Sequence, residues 1–240
     1  MSCLTDRNEI AVNEGKYIYA LKYPWLTRLY DPVVALTTRE RFFRQEFLNS
    51  AQIRPGDRVL DLACGSGSFA VLLAKRFTET EVVGLDGDPE ILNQARRKAW
   101  EQNLDLKFDE GMAHEMPYGN HEFDVVFSSL FFHHLSTLDK KSALAEVWRV
   151  LRPGGSLKIC DWGRPANWFS SWRFNFVRIL DGFEVTEDNH KGRLHELIEK
   201  SGFDGLVVEK RIETPLGTLD LISAIRSGDH VYGAENISSE

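Results

Sequence analysis

Val59-Leu60-Asp61-Leu62-Ala63-Cys64-Gly65-Ser66-Gly67 is the stretch whose reading decides the fold. A turn, Arg54-Pro55-Gly56-Asp57, leads into its short apolar run, which ends in an acid and then a Gly-x-Gly. Phe69, Leu72, Leu73, Ala74 and Phe77 follow at helical spacing. That order predicts strand, glycine loop and helix, the opening of a nucleotide-binding α/β domain. Bare backbone at Gly65 and Gly67 lets a ligand lie against the main chain. A pyrophosphate would seek the N–H groups that open the helix. Asp61, at the end of the strand, would repel it and attract a cation instead.

S-adenosylmethionine carries an ammonium and a sulfonium against one carboxylate, and so suits an acidic mouth. VLDLACGSG resembles the first motif of class I S-adenosylmethionine-dependent methyltransferases. Glu81 to Asp86 reads as the second strand, followed by a helix with Asp88 as N-cap and Pro89 in its first turn. Leu92, Ala95, Ala99 and Trp100 are expected on the inner face of that helix. Asp86 lies 21 positions beyond Gly65, where an acid accepts both hydroxyls of a ribose. NAD enzymes share this feature, so it indicates a nucleoside without choosing the cofactor.

Leu104 to Asp109 reads as a partly polar third strand. Glu110 to Tyr118 then resembles the family's Gly-Asp-Ala-x-x-Leu-Pro-Phe segment, which borders the adenine. Two departures stand out: Met112 replaces an acid that often meets the adenine amino group, and Gly87 replaces an aliphatic that often packs on the ring. Met112 is expected to cover the ring with its adaptable thioether, with an ordinary core methionine as the alternative. Phe123 to Ser129 is similar to the family's Phe-Asp-x-Val strand, whose end faces the methionine part of the cofactor. Then come a His-His loop, an amphipathic helix starting after Ser136, the turn Arg152-Pro153-Gly154-Gly155 and a fifth strand, Ser156 to Trp162. The match runs from residue 58 to 162 without a break in register.

The resemblance implies S-adenosyl-L-methionine as cofactor, with Asp61, Ala63, Gly65, Gly67, Asp86, Gly87, Met112, Ala113 and Ser128 around it. The expected fold is α/β, a Rossmann-like, seven-stranded, mostly parallel sheet with helices on both faces. A C-terminal antiparallel β-hairpin closes it, because Leu206 to Arg211 and Leu216 to Ile225 are joined too closely for a helical crossover. A helix over Lys191 to Ser201 precedes that hairpin. Residues 1–50 are assigned to an N-terminal cap or lid and residues 51–226 to the methyltransferase domain. An aromatic insertion spans 164–183, and 227–240 is expected to be a polar, disordered tail.

Composition narrows the partners. A net charge of −7 with no basic block argues against nucleic acid. Ser128-Ser129-Leu130-Phe131 stands where amino-methylating DNA enzymes carry Asn/Asp-Pro-Pro-aromatic. Three widely spaced cysteines, with no Cys/His cluster, point to no metal site and to a reducing, cytoplasmic setting. No apolar run is long enough to cross a bilayer, so no stable membrane insertion is expected.

The acceptor end rests on fewer signals. Residues 16–50 are rich in aromatics, and a helix is expected over Thr38 to Asn49 that buries Phe42, Phe43 and Phe47. As a plain cap this segment covers the sheet; as a lid it offers Tyr30 or Arg39 to a substrate. Leu29-Tyr30-Asp31-Pro32 is similar to the Tyr-Asp near the start of quinone-biosynthesis C-methyltransferases. Trp168, Trp172, Phe176 and Leu180 repeat every four residues, as core, pocket wall or membrane contact. His134 and His133, at the end of the fourth strand, are the candidate bases, with Asp161 next and Trp162 beside it as a substrate wall. A small or medium, apolar or aromatic acceptor fits best, by C- or O-methylation. A non-catalytic S-adenosylmethionine-binding regulator and an NAD(P)-dependent oxidoreductase are the rival readings. The second leaves Asp61 and the Leu151 to Gly155 segment unexplained.

Overall fold

The computed structural model describes residues 40–164 and 187–228. Their order is α1 (Glu40–Asn49), β1 (Arg58–Leu62), α2 (Ser68–Arg76), β2 (Glu81–Asp86), α3 (Pro89–Glu101), β3 (Lys107–Glu110) and β4 (Phe123–Ser129). A 3-10 turn (Phe132–His134), α4 (Thr137–Val150), β5 (Leu151–Trp162), α5 (Glu187–Lys191), α6 (Arg193–Lys200), β6 (Phe203–Thr214) and β7 (Gly217–Arg226) complete it. The strands form one seven-stranded sheet in the order β3-β2-β1-β4-β5-β7-β6. β1 to β5 are parallel, and β7 inserts antiparallel between β5 and β6. The chain steps outward from β1 to β3, then returns to start β4 on the other side of β1. This reversal opens a crevice at the carboxyl ends of β1 and β4, where open α/β sheets bind ligands.

Alternation along the strands sends side chains into two cores. Val59, Val125, Phe127 and Cys160 join Phe43, Phe47, Phe69, Leu73 and Leu92 on the face covered by α1, α2 and α3. Leu60, Leu62, Val126, Leu157 and Ile159 meet Phe132, Leu144, Val147, Leu197 and Ile198 on the face covered by α4 and α6. Phe47 stacks on Phe69 at 4.9 Å between centroids, and both meet Phe127 edge-on at 5.2 and 5.5 Å. Such pairs add roughly 0.5–1.5 kcal/mol each beyond area burial. They fix α1 against β4 at Phe127, the residue paired with Asp61 of the adjacent β1.

Local signals fix the helix ends. Asp88 accepts hydrogen bonds from the Glu90 and Ile91 amides, and Pro89 occupies the first turn. Ser136 accepts from the Asp139 amide and starts α4. Several sequence expectations shift. Trp100 is 79% exposed and Phe42 is 40% exposed, so neither lies on the buried face assigned to it. The third strand begins at Lys107, because the Leu104 amide bonds Ala99 and closes α3, with Asn103 left-handed at φ 53°. β5 begins at Leu151, and Arg152 to Gly155 form an irregularity opposite Phe123 and Val125. The helix expected over Lys191 to Ser201 splits into α5 and α6 at Gly192, whose φ is +72°. The hairpin strands are longer than expected and turn between Thr214 and Gly217.

Candidate active site

The loop after β1 is built from left-handed residues. Ala63, Gly65 and Gly67 have φ of 56°, 54° and 69°. Ala63 holds that conformation at a cost, as does Leu130 (φ 52°) directly after β4. The two strained residues flank the crevice. A Cβ at Gly65 would meet nothing within 4 Å, so its backbone borders open space. A Cβ at Gly67 would lie 2.8 Å from Ala95 Cβ and 2.9 Å from Phe108 Cζ, so this glycine serves close packing of α2.

Asp61 is 1% exposed, and neither carboxylate oxygen has a hydrogen-bond partner among the described residues. Burial raises its pKa from 3.8 to about 7, opposed by the Arg44 guanidinium and the Ala70 amide. A buried carboxylate whose oxygens lack a full hydrogen bond is costly, and with only the Ala70 amide and the Arg44 charge nearby it becomes intelligible if a ligand supplies a further donor. Asp86, at the end of β2, accepts from the Gly65 amide at 2.9 Å and the Asp88 amide at 3.0 Å. Its carboxylate is thus locked against the glycine loop, and each oxygen retains acceptor capacity for a diol. Burial raises its pKa as well. The two acids lie at the ends of neighbouring strands, paired Asp61 with Gly84 and Leu62 with Leu85.

The second half of the site lies at the ends of β4 and β5. His133 is buried, and its Nδ1 lies 2.7 Å from Asp161 Oδ1. An ionised carboxylate only accepts, so this contact puts the ring proton on Nδ1 and makes Nε2 the basic nitrogen. Asp161 also accepts from the His133 amide (3.3 Å), the Trp162 amide (2.7 Å) and Asn189 Nδ2 (3.4 Å). His134 packs its ring 3.9 Å from that of His133. Part of His134 remains accessible, yet burial, His133 and Lys140 together hold its pKa well below the ordinary histidine value.

This geometry fits S-adenosylmethionine: an orphaned acid for the ammonium, a bare backbone edge and an anchored acid for the ribose. Residues 59–155 match the family model described as a methyltransferase domain. The chain is 35% identical over 207 residues to an uncharacterized methyltransferase of Synechocystis, covering 86% of this chain and 93% of that one. It is 38% identical over 172 residues to a demethylmenaquinone methyltransferase of Deinococcus radiodurans, covering 71% and 68%. The chain belongs to the S-adenosylmethionine-dependent methyltransferases. Among solved structures, a Methanosarcina mazei S-adenosylmethionine-dependent methyltransferase shares the fold at TM-score 0.61 and 22% identity, covering 74% of this chain and 95% of that one. One from Aquifex aeolicus does so at TM-score 0.59 and 22% identity, covering 84% and 97%.

The other expected residues of this methyltransferase fall as follows. Met112 is half-buried in a tight turn closed by the Glu115 amide, and Ala113 packs on the α4-side core. Gly87 stands between Asp86 and the cap Asp88, half-buried. Ser128 is buried at the end of β4, and its hydroxyl has no hydrogen-bond partner among the described residues. Trp162 is 5% exposed within the α1-side core, edge-on to His133 at 6.4 Å. Tyr30, Arg39 and Trp168 lie outside the described residues, with most of the lid, the aromatic insertion and the tail.

Sequence reasoning missed four participants. Arg44 comes from α1 to oppose the burial of Asp61. Asp188 and Asn189, on α5, are buried beside the Asp161 region. Asp220 pairs with Asp161 across β5 and β7, is 1% exposed, and meets Arg211 Nε at 3.2 Å and His195 Nε2 at 3.8 Å. His195 therefore has a partner that the sequence did not reveal. Burial raises the Asp220 pKa, opposed by Arg211 and His195. No local motif marks any of the four; each is defined by contacts between distant elements.

Proposed function

We propose that this methyltransferase methylates a small or medium-sized organic acceptor with an apolar or aromatic body, at carbon or oxygen, with His133 as general base. The observation that carries the assignment is the buried 2.7 Å contact between His133 Nδ1 and Asp161 at the ends of β4 and β5. A base held by an orienting carboxylate is the arrangement that proton removal from a nucleophile requires. Asp161 accepts from four N–H groups among the described residues, three of them on Oδ1, and serves as the orienter. His134, whose protonated form is disfavoured, is the weaker candidate.

Asp61 would hold the ammonium of the cofactor, Asp86 its ribose hydroxyls, and the backbone at Ala63, Gly65 and Gly67 would lie along its length. Gly87, Met112 and Ala113 would border the adenine, and Ser128 the methionine end. When bound, S-adenosylmethionine supplies a methyl group activated on sulfonium, ready for in-line displacement. The chain's own task is to hold the nucleophile in line, exclude water and accept the proton at His133 Nε2. Trp162, with Tyr30, Arg39 and Trp168, is assigned to the acceptor side.

The Deinococcus relative is named for methylation of demethylmenaquinone, which supports a ring-bearing acceptor. A net charge of −7 supports a partner other than nucleic acid. No helix among the described residues is long and apolar enough to cross a membrane. Incubating the protein with methyl-labelled S-adenosylmethionine and a cell extract tests the assignment. Label is expected in an organic-solvent-extractable small molecule, and capture only on protein or nucleic acid would overturn it.

A further inference from the structure

We infer that Asn189 is a positioning residue for the His133–Asp161 pair, its side-chain amide holding the Asp161 carboxylate in the pose that keeps the imidazole proton on Nδ1. The inference rests on His133 being the base. Asp161 lies one residue from the end of β5 and shares a sheet face with Leu157 and Ile159. Of its four N–H partners, two belong to His133 and one is the amide of its own neighbour, Trp162. Asn189 Nδ2 is the fourth, and the one that comes from an independent element. The same amide donates to the Trp162 carbonyl at 3.0 Å, so one group grips both the side chain and the main chain of the strand end.

The orientation of this amide is fixed by chemistry. Both neighbours of Nδ2 are acceptors, a carboxylate and a carbonyl, and a flipped amide would set oxygen against oxygen. Asn189 is itself clamped through the preceding residue. Asp188 Oδ2 accepts from Thr137 Oγ1 at 2.6 Å, and Oδ1 pairs with Arg193 at 2.7 Å. Lys140 Nζ lies 3.6 Å from Asp188 and donates to the Leu135 carbonyl at 2.5 Å, directly after the turn that carries His133. Helix α5 thus holds both halves of the pair: the strand end through Asn189, and the histidine turn through Asp188 and Lys140.

Energetics support a positioning role over a packing role. Asp188 and Asn189 are 2% and 1% exposed on a helix of five residues, too short to be stable alone. Burying two polar side chains there stabilises less than apolar residues of the same volume would. What the polar choice adds is a defined orientation for Asp161. Without the amide, only the Trp162 and His133 amides hold the carboxylate, its pose loosens, and the hydrogen bond that sets the histidine tautomer weakens.

Imidazole NMR of the full-length protein, 15N-labelled at histidine, tests this without an acceptor, with His133 assigned by its loss in His133→Gln. The wild type is expected to show a single Nδ1–H tautomer with a slowly exchanging ring proton. Asn189→Ala should give mixed tautomers or a ring proton that exchanges measurably faster than in wild type. Its S-adenosylhomocysteine affinity should stay as in wild type, and Asn189→Gln should restore the signal in part. If Asn189→Ala does not fold, Asn189→Ser, which cannot span both acceptors, is read the same way. A wild-type spectrum with no Nδ1–H proton overturns the assignment of the base itself. A wild-type-like spectrum in the folded Asn189 variants leaves the base standing and overturns the role of Asn189.

Discussion

Replacing Asp61 with asparagine removes a charge that has no hydrogen-bond partner among the described residues until a ligand brings one. Burial raises this carboxyl from 3.8 to about 7. An acid with a folded-state pKa above its unfolded value binds its proton more tightly when folded. Between about pH 4 and pH 7 the native state therefore carries the extra proton, and stability falls as pH rises through that window. Above pH 7 the loss is complete. At 1.36 kcal/mol per unit, a window of about three units corresponds to at most about 4 kcal/mol. Asp61→Asn lacks this slope and should be the more stable protein at pH 8. Cofactor affinity runs the other way, since the ammonium requires the ionised acid. Wild-type affinity should weaken about tenfold per unit below pH 7. The asparagine variant should bind about 100-fold or more worse at pH 8, as expected when one partner of a buried charge pair is removed. Urea unfolding without cofactor at pH 5 to 8, and calorimetric titration with S-adenosylhomocysteine over the same range, measure both. Asp86 and Asp220 are also raised, so the difference between wild type and variant is the quantity to read. Equal pH slopes in the two proteins, or affinities within threefold at pH 8, would refute the reasoning.

His133→Ala should lower the initial rate of label transfer by about 10²–10⁴-fold with cofactor affinity intact, whereas His134→Ala should stay within several-fold; an unchanged rate for His133→Ala removes it as base. Gly163→Ala would place a Cβ 2.3 Å from the Asp220 carboxyl carbon, so a loss of about 1–3 kcal/mol in urea unfolding is expected, relieved when Asp220→Ala is added. Gly65→Ala and Gly67→Ala separate two uses of glycine. Both suffer about 1–2 kcal/mol of left-handed strain, but only Gly67→Ala also collides with Ala95 and Phe108, so it should be clearly the less stable in thermal unfolding. Gly65→Ala should show its larger effect as weakened S-adenosylhomocysteine binding in calorimetry, because its new methyl group enters the open space beside the loop.

Much of the proposed cofactor half was legible as local geometry. Asp61, Gly65, Gly67 and Asp86 sit at strand ends and loop positions that alternation, an acid and two glycines mark within one βαβ unit. The Asp86 bond to the Gly65 amide joins residues whose spacing was already in the sequence. Helix caps were legible for the same reason: Asp88 and Ser136 bond amides two or three residues away. Errors fell where local preference and tertiary demand diverge. Trp100 is a large apolar residue at helical spacing, yet it falls on the outer side of α3 beside the buried Ala99, and it stays exposed. Gly192, left-handed at φ +72°, breaks a periodic run so that α5 can bond the end of β5 through Asn189 while α6 packs on α4 and β6.

The choice between the two histidines shows the limit. As neighbours in sequence they have the same intrinsic chemistry, and the sequence offered both as the base without choosing between them. Only the parallel pairing of β4 with β5 brings Asp161 to His133 Nδ1, and only the packing of α5 brings Asn189 to Asp161. By itself the sequence determined the order of strands, the glycine loop and the acids at its edge, because these depend on steric and periodic rules acting over a few residues. Tertiary structure alone decided which carboxylate lacks a hydrogen-bond partner among the described residues and which histidine meets Asp161. Burial and hydrogen bonding at those atoms are set by elements distant in the chain, and no short-range rule contains them.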